Sequence, residues 1–198
     1  NNINLVHAYS HCSGLSGLGE TSFMTVFFDV ETQNTFQEVG GHYPERLRIS
    51  VVVTYNTADQ AFHRYDEVGV TRLVEELTNA DLVVGYNLYG FDYPVVQQYA
   101  PGVVLKDLPT VDMMLEIQKR ISFRVKLDAV ATATLQIGKS ADGLQAVRWW
   151  REGKIEEIFK YCQQDVDVTR RIYEFGKQYG YVQFYDNQYR LKKVPVAW

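Results

Sequence analysis

The fold is decided by the stretch Val26-Phe27-Phe28-Asp29-Val30-Glu31-Thr32, which reads as a buried strand ending in two acidic residues. Its first half is almost continuously apolar, as expected of a central strand that is covered on both faces. Side chains alternate along a strand, so Asp29 and Glu31 point to the same side of the sheet. Neighbouring carboxylates at the edge of a core repel each other, and burial penalises both charges. A divalent cation would remove both problems, whereas the simpler alternative is a strand end with two solvated acids.

Length and composition predict one soluble globular domain over residues 24–198, with ample chain for a large core. Residues 1–23 are polar and rich in Gly and Ser, so we expect a flexible leader or residues left by cloning. They carry His7, His11 and Cys12, but the spacing of these residues matches no zinc pattern.

The charge and cysteine content exclude several classes of protein. A formal net charge of −4 argues against a generally basic nucleic-acid coat, although a local basic groove stays open. The two cysteines, Cys12 and Cys162, form no CxxC pair, which predicts a reducing, cytoplasmic location. No apolar run approaches the ~20 residues that span a bilayer, so no membrane partner is expected.

Periodicity predicts a mixed α/β fold, in which a three-strand meander precedes alternating helices and strands, giving five strands with helices on both faces of the sheet. The expected strands after the first are Leu47–Tyr55, Ala61–Tyr65, Asp81–Tyr86 and a short one from Pro109. The expected helices are Glu67–Asn79, one within Gly90–Ala100, one ending near Ile121, Leu127–Ile137, one from Asp142-Gly143, and Lys154–Gln178. The aromatic and basic tail, Gly180–Trp198, receives no assignment.

A second candidate acid, Asp92, closes the segment Asn87-Leu88-Tyr89-Gly90-Phe91-Asp92, which directly follows the strand ending at Tyr86. Ligands of open α/β sheets bind in the crevice beyond the strand ends, where Asp92 would lie. The competing interpretation is a helix cap, because Asp is a favoured cap residue and Pro94 fits the first helical turn. Taken alone, this segment favours the cap.

The third candidate acid lies on the longest predicted helix, in the segment Tyr161-Cys162-Gln163-Gln164-Asp165. At about 100° per residue, Asp165 falls beside the apolar stripe and next to Tyr161, whereas Asp167 falls on the opposite face. Asp165 therefore needs a buried partner. A Tyr–Asp hydrogen-bonded pair that only holds the helix to the core is the alternative, and helical spacing does not reject it.

Three separate elements thus bring acids to one end of a sheet, as a two-metal phosphodiester site with ions ~3.5–4 Å apart requires. The motifs Asp29-x-Glu31, Asn87-x3-Phe91-Asp92 and Tyr161-x3-Asp165 resemble, in this order, those of the DEDD 3′–5′ exonucleases. The tyrosine subgroup is indicated because position 161 is Tyr. The segment from Gly85 to Pro94 looks most like the proofreading exonuclease domain of family B DNA polymerases. The stretch from about Met24 to Tyr181 also resembles stand-alone or helicase-associated bacterial proteins with a ribonuclease H-like fold.

The resemblance implies a metal-dependent 3′–5′ exonuclease that releases nucleoside 5′-monophosphates from single-stranded nucleic acid, with DNA favoured. Asp29, Glu31 and Asp165 would bind the first Mg²⁺ or Mn²⁺. Asp29 would also bridge to a second ion that Asp92 helps to hold. Tyr161 would orient the attacking water rather than deprotonate it, since an unperturbed tyrosine has a pKa of about 10. Three further residues would contact or position the terminal nucleotide, namely Thr32, Asn87 and Phe91.

Two other functions stay open. One is an exoribonuclease that trims RNA 3′ ends, because the tyrosine subgroup includes RNA-processing members. The other is a non-catalytic ribonuclease H-like module that binds nucleic acid or a partner, although the complete acid set argues against it. Family B polymerases continue into a large domain for which this chain has no room. We therefore expect a free domain, or one that works with a separate helicase or polymerase partner.

Several basic residues could line a groove for phosphates or lie on solvated helix faces. They are Lys126, Lys139, Arg148, Arg151 and Lys154. Trp149 and Trp150 could stack on bases, but packing under the long helix is the simpler interpretation. Asp112 and Asp128 fall in segments that face the same region, and we interpret them as structural residues or, at most, as supports for the metal ligands.

Overall fold

The computed structural model describes residues 23–138 and 143–198. Its strands are β1 (Thr25–Thr32), β2 (Ile49–Asn56), β3 (Ala61–Tyr65), β4 (Leu82–Gly85), β5 (Thr110–Asp112), β6 (Tyr181–Tyr185) and β7 (Leu191–Pro195). Its helices are α1 (Val70–Asn79), α2 (Asp92–Gln97), α3 (Met113–Ile121), α4 (Leu127–Leu135), α5 (Gly143–Arg151) and α6 (Ile155–Tyr179). Short 3₁₀ turns cover Pro44–Arg46 and Leu105–Asp107. None of these helices is both long and apolar enough to cross a membrane.

The central sheet has the strand order β3-β2-β1-β4-β5. Strands β1, β2 and β3 form an antiparallel meander, and β4 and β5 run parallel to β1. This arrangement confirms the predicted α/β fold with a five-stranded mixed sheet. The expected leader, apart from Phe23, lies outside the described residues, as does Lys139.

The middle strand, β1, is covered on both faces, as its apolar sequence predicts. Phe27 packs into a core that β1 shares with α3, α4, α5 and α6, whereas Phe28 packs into a second core with α1 and α2. Fully burying a side chain of this size contributes about 1.5–3 kcal/mol, so the two cores fix β1 firmly. Because side chains alternate, Asp29 and Glu31 follow Phe27 onto the face that carries α6.

The C-terminal tail, for which the sequence pattern predicts no element, forms a hairpin. Gly180 ends α6 in the left-handed region, with φ of 75°, and its N–H donates to the carbonyl oxygen of Gly176 at 2.8 Å. The chain then forms the antiparallel pair β6–β7, a sheet separate from the central one. Val182 and Phe184 are buried in the core that contains α4 and α6.

Candidate metal centre

Three carboxylates converge where β1 passes α6. Asp29 and Glu31 come from β1 and Asp165 comes from α6, and one oxygen of each lies within 4.8 Å of the others. Glu31 is buried, while Asp29 and Asp165 are half-buried. Asp29 lies opposite Val53 of β2 and Glu31 opposite Val51, so both acids rise from a largely apolar face. The structure thus brings together the three residues predicted to hold the first ion.

Asp92 lies beside this group rather than within it. It is the first residue of α2, only 2% of its surface is exposed, and its Oδ1 accepts a hydrogen bond from the backbone N–H of Val30 at 3.1 Å. Val30 stands between Asp29 and Glu31 in β1, so this bond holds Asp92 next to the acid pair. The cap position of α2 belongs to Phe91 and shows no side-chain cap bond. The helix-cap interpretation of Asp92 is therefore wrong.

Burial and mutual repulsion disfavour negative charge on these carboxyl groups. Burial, followed by the charge of Asp165, raises the pKa of Asp29 well above its ordinary value. Burial, followed by Asp29, does the same to the pKa of both Glu31 and Asp92. Within the described ranges, no Lys, Arg or His forms an ion pair with Asp29 or Glu31. A set of carboxylate oxygens in this state suits hard divalent cations such as Mg²⁺ or Mn²⁺.

Tyr161 extends the centre from the same helix as Asp165. Burial raises the pKa of its hydroxyl well above the ordinary value, and the negative charge of Asp165 and a hydrogen bond to that carboxylate raise it further. The hydroxyl therefore stays protonated at neutral pH and acts as a hydrogen-bond donor, not as a base. The ring of Trp149 meets the Tyr161 ring edge-on at a centroid distance of 6.2 Å, which restricts its position.

The thiol of Cys162, on α6, contacts Asp29 of β1. The thiol donates to the backbone oxygen of Asp29 at 3.2 Å and lies 3.6 Å from Asp29 Oδ2. Burial raises the pKa of the Cys162 thiol, which keeps the proton available for donation. The sequence motif contains Cys162 but assigns it no role. Its position between Tyr161 and Asp165 was the one hint of a role near the site.

Asp112 fixes the loop that follows β4. Its carboxylate accepts hydrogen bonds from the backbone N–H groups of Asn87 at 2.9 Å and Tyr89 at 3.1 Å. The same side chain caps α3 by accepting from the N–H of Leu115 at 3.3 Å. All of these partners lie in the protein backbone, so the structural interpretation of Asp112 is confirmed. Asp128 is half-buried in the first turn of α4.

Asn87 occupies a strained turn at the end of β4. Its φ is 75°, a left-handed conformation that Asn tolerates better than most residues. Its side chain folds over Gly90, where an added Cβ would lie only 2.4 Å from Asn87 Oδ1. That oxygen is buried and has no hydrogen-bond partner within the described part of the chain. The turn places Asn87 directly after β4, and its predicted contact with a terminal nucleotide stays a prediction.

An apolar cavity of about 460 Å³ opens directly beside Glu31. Its walls come from the loop after β1, which contributes Phe36, and from α5, which contributes Leu144 and Val147. Phe91 also lines it and meets Phe36 edge-on at 6.0 Å. Thr32 lies in the wall as well, but its hydroxyl already donates to the backbone oxygen of Asn34 at 2.9 Å. The sequence motifs predict nucleotide contacts for Phe91 and Thr32, which stay predictions, and they gave no signal for the cavity residues from α5.

The predicted basic residues have separate surroundings. Arg151 forms an ion pair with Glu38 at 2.7 Å, which links α5 to the loop after β1, and Lys154 pairs with Glu152 at 2.6 Å. Arg148 donates to Gln145, and Lys126 lines a different groove beside the C-terminal hairpin. Trp149 and Trp150 are half-buried and pack against the core, which confirms the packing interpretation.

Comparisons with known proteins agree with this architecture. A family model described as the RNase H superfamily matches residues 26–175. None of the curated proteins compared with the chain matches it. Among solved structures, a family B DNA polymerase from the hyperthermophilic archaeon Pyrobaculum calidifontis superposes with a TM-score of 0.59 and 21% sequence identity. The match covers 78% of this chain but 24% of that polymerase, so the chain spans about a quarter of its length.

Proposed function

This chain belongs to the RNase H superfamily, and from that premise we propose that it is a metal-dependent 3′–5′ exonuclease. It would release nucleoside 5′-monophosphates from single-stranded nucleic acid, with DNA preferred. The observation that carries the proposal is the convergence of Asp29, Glu31 and Asp165 within 4.8 Å, with Asp92 hydrogen-bonded beside them. A binding module gains nothing from burying acids that repel one another, whereas a metal site requires them.

The residues have distinct roles in this proposal. Asp29, Glu31 and Asp165 would hold one Mg²⁺ or Mn²⁺, and Asp29 with Asp92 would hold a second. Ions bound there would supply Lewis-acid chemistry, to an attacking water and to the leaving 3′ oxygen. Tyr161, protonated and hydrogen-bonded to Asp165, would orient the water through its hydroxyl.

The cavity beside Glu31 would receive the terminal nucleoside. Phe91 and Phe36 offer aromatic edges and faces to a base. Thr32 and Asn87 would position the sugar and the scissile phosphate, Thr32 through its backbone and methyl group because its hydroxyl proton is already used. The structural likeness to a DNA polymerase supports DNA as the preferred substrate. A separate helicase or polymerase partner and a cytoplasmic location stay predictions.

The test uses single-stranded DNA and RNA oligomers of one sequence, each labelled at the 5′ end. Incubation with Mg²⁺ or Mn²⁺ should give a ladder that shortens from the 3′ end, and EDTA should abolish it. The faster substrate decides between the DNA exonuclease and the RNA-trimming alternative. Binding of either oligomer without any shortening would instead favour the non-catalytic module.

Two variants on one helix make the test specific. Asp165→Asn removes a proposed metal ligand, whereas Asp167→Asn makes the same change two residues away, where the side chain pairs with Arg170 at 2.7 Å. Asp165→Asn and Asp29→Ala should abolish cleavage while the fold survives, and Asp167→Asn should keep it. Unchanged turnover in Asp165→Asn or Asp29→Ala would overturn the proposed site.

A further inference from the structure

A second groove lies outside the metal centre, between the α3–α4 loop and the C-terminal hairpin. Its volume is about 570 Å³. One wall is formed by residues 123–126 and the other by residues 184–188, with Ala129 and Arg190 completing the lining. None of these residues takes part in the proposed chemistry, so the groove needs a separate explanation.

The groove is locally basic in a chain whose net charge is −4. Arg124, Lys126 and Arg190 line it, and Asp186 is the one acid among the described residues of its lining. Asp186 is already occupied, because Arg190 Nε donates to its Oδ2 at 2.8 Å. Arg124 and Lys126 are exposed, and they form no ion pair with any residue that the structure describes. The lining therefore presents uncompensated positive charge, which complements phosphates.

Aromatic rings stand beside these charges. Phe123 and Tyr185 are about half exposed, at 51% and 50% respectively, although buried packing would be the default for rings of this size. The ring of Phe123 is nearly perpendicular to the buried ring of Phe184, at a centroid distance of 5.7 Å, and about half of Phe123 stays exposed at the groove. Aromatic faces interleaved with cations are the combination that binds bases and phosphates of a single strand.

Hydrogen bonds hold the walls in place. Thr134 of α4 exchanges two bonds with Gln183 of β6, since its hydroxyl donates to the backbone oxygen at 3.1 Å and accepts from the N–H at 2.9 Å. The hairpin turn is fixed by Asp186, whose Oδ1 accepts from the N–H groups of Gln188 at 2.9 Å and Arg190 at 3.0 Å. Because the groove is already formed, its walls lose little conformational entropy when a ligand binds.

A hydrogen bond joins the groove to the end of the sheet where the acids lie. The hydroxyl of Tyr86 donates to the backbone oxygen of Val125 at 2.6 Å. Val125 lies in the groove wall, and Tyr86 directly precedes Asn87 at the end of β4. In the sheet, β4 is the immediate neighbour of β1, which carries Asp29 and Glu31. The loop after β4 therefore connects the strand next to the acids with the wall of this groove.

We propose that this groove binds a single-stranded segment of the nucleic acid several nucleotides away from the end held at the acids. Arg124 and Lys126 contact its phosphates, and Phe123 and Tyr185 stack on its bases. The inference rests on the proposed function, since it extends the path of the same substrate. It predicts that affinity rises with oligomer length until both sites are filled.

Binding measured in EDTA tests the groove without requiring cleavage. The probes are labelled oligothymidylates of about 4 and about 20 nucleotides, a range that brackets single-strand site sizes. Arg124→Ala/Lys126→Ala should lower the affinity for the long probe about tenfold. The slope of log affinity against log salt concentration should also become shallower, by about 0.7 for each phosphate contact that is lost. Tyr185→Ala should also lower the affinity for the long probe about tenfold, because a stacking contact is lost. Affinity for the short probe should not change.

The matched control is Arg72→Ala/Lys106→Ala, which removes the same charge from α1 and from the segment before β5. Leu73 and Leu105, their sequence neighbours, belong to the core on the opposite face of the sheet. This variant should bind the long probe like the wild type. The proposal would be overturned if both double variants weakened long-probe binding equally. It would also be overturned if long-probe binding were unchanged in Arg124→Ala/Lys126→Ala and in Tyr185→Ala. A wild type that binds no oligomer would overturn it as well.

Cleavage separates a failure of the groove from a failure of the proposed function. If the wild type shortens oligomers, the groove variants should slow the long substrate and leave the short one unchanged. If the groove variants slowed cleavage of both substrates equally, the defect would lie at the acids, and the proposed role of the groove would be contradicted. If the wild type shortens neither substrate, the proposed exonuclease function is wrong. The binding measurements in EDTA then still test whether the groove binds a single strand.

Discussion

Two clusters of polar side chains, one around the single acid Glu76 and one formed by the acids at the end of β1, have opposite surroundings. Glu76 of α1 has a side chain that is 9% exposed, and four side chains of the neighbouring β2–β3 hairpin satisfy it. Thr54 Oγ1 donates to it at 2.8 Å, Asn56 Nδ2 at 2.9 Å and Tyr65 Oη at 3.0 Å, and His63 Nδ1 lies 2.9 Å from its Oε1. Both of its carboxylate oxygens therefore have two partners within the fold.

The acids at the end of β1 face one another instead. Asp29, Glu31 and Asp165 lie within 4.8 Å, and burial and mutual repulsion raise the pKa of Asp29 and Glu31. The difference separates a carboxylate that stabilises the fold from carboxylates that cost stability and are retained for function. Substitutions at the two clusters should therefore change stability in opposite directions.

The largest expected effect is that of Asp165→Asn. Removing a proposed metal ligand should reduce cleavage by about a thousandfold or more, since several kcal/mol of transition-state charge stabilisation is lost. In EDTA the same variant should melt about 2–4 °C higher than the wild type, because it relieves repulsion at the acids. Gel-based turnover and thermal unfolding measure the two effects. A lower melting temperature in EDTA would show that the acid group is compensated within the chain.

Glu76→Leu should have the opposite outcome. It leaves the four hydrogen-bonding partners without their acceptor, so the free energy of unfolding should fall by about 3 kcal/mol. Divalent-ion binding should stay intact. Denaturant titration measures the loss, with Glu75→Leu as the control, since the exposed Glu75 lies beside Glu76 on the same helix. Equal stability of the two variants would remove the contrast between the clusters.

Tyr161→Phe sharpens the roles inside the metal centre. The ring and its edge contact with Trp149 remain, but the hydroxyl that would orient the water is lost. Cleavage should slow about 10- to 100-fold, as expected when an attacking group is less well positioned, and the affinity for Mn²⁺ should change little. Turnover and Mn²⁺ titration should be run on the same preparation. A large loss of Mn²⁺ affinity would show that the hydroxyl supports the ions rather than the water.

The smallest expected effect concerns His63 and pH. Partial burial lowers the pKa of His63, but Glu76 and Asp59, which flank its two ring nitrogens at 2.9 and 2.8 Å, raise it above the ordinary value overall. The folded state therefore binds the proton more tightly than the unfolded state. Its stabilising contribution is fully present below the unfolded pKa of about 6.5 and is lost as pH rises through the folded pKa.

Thermal unfolding of wild type and His63→Gln across that range tests this linkage. The difference in melting temperature should be largest near pH 5.5 and should shrink towards about pH 9. A difference that stays constant with pH would show that His63 contributes through its neutral hydrogen bonds alone.

Local sequence patterns carried enough information to predict the central sheet and the acid motifs. The apolar run of β1, with Asp29 and Glu31 two residues apart, marks a covered strand whose acids share one face. Helical spacing likewise placed Asp165 on the inner side of α6 and Asp167 away from it. These features are predictable because they depend on strand and helix periodicity within a single element.

The missing parts depend on contacts between distant elements. The cavity beside Glu31 needs α5 to meet the loop after β1, and the Cys162–Asp29 contact needs α6 to cross the sheet. The C-terminal hairpin was missed because Lys192, Lys193 and Pro195 weaken the strand pattern of β7. The alternation of Val182 and Phe184 before an Asp-Asn turn was the local signal for β6.

The most direct test of the central claim is a Mn²⁺ titration followed by electron paramagnetic resonance, in which bound ions lose the sharp signal of free Mn²⁺. The wild type and Glu76→Leu should bind Mn²⁺ alike, and the proposal predicts two ions per chain at saturation. Asp165→Asn should lose the tighter site, while Asp167→Asn should keep it. Mn²⁺ binding by Asp165→Asn that equals the wild type would contradict the assignment of the acid group as the metal centre.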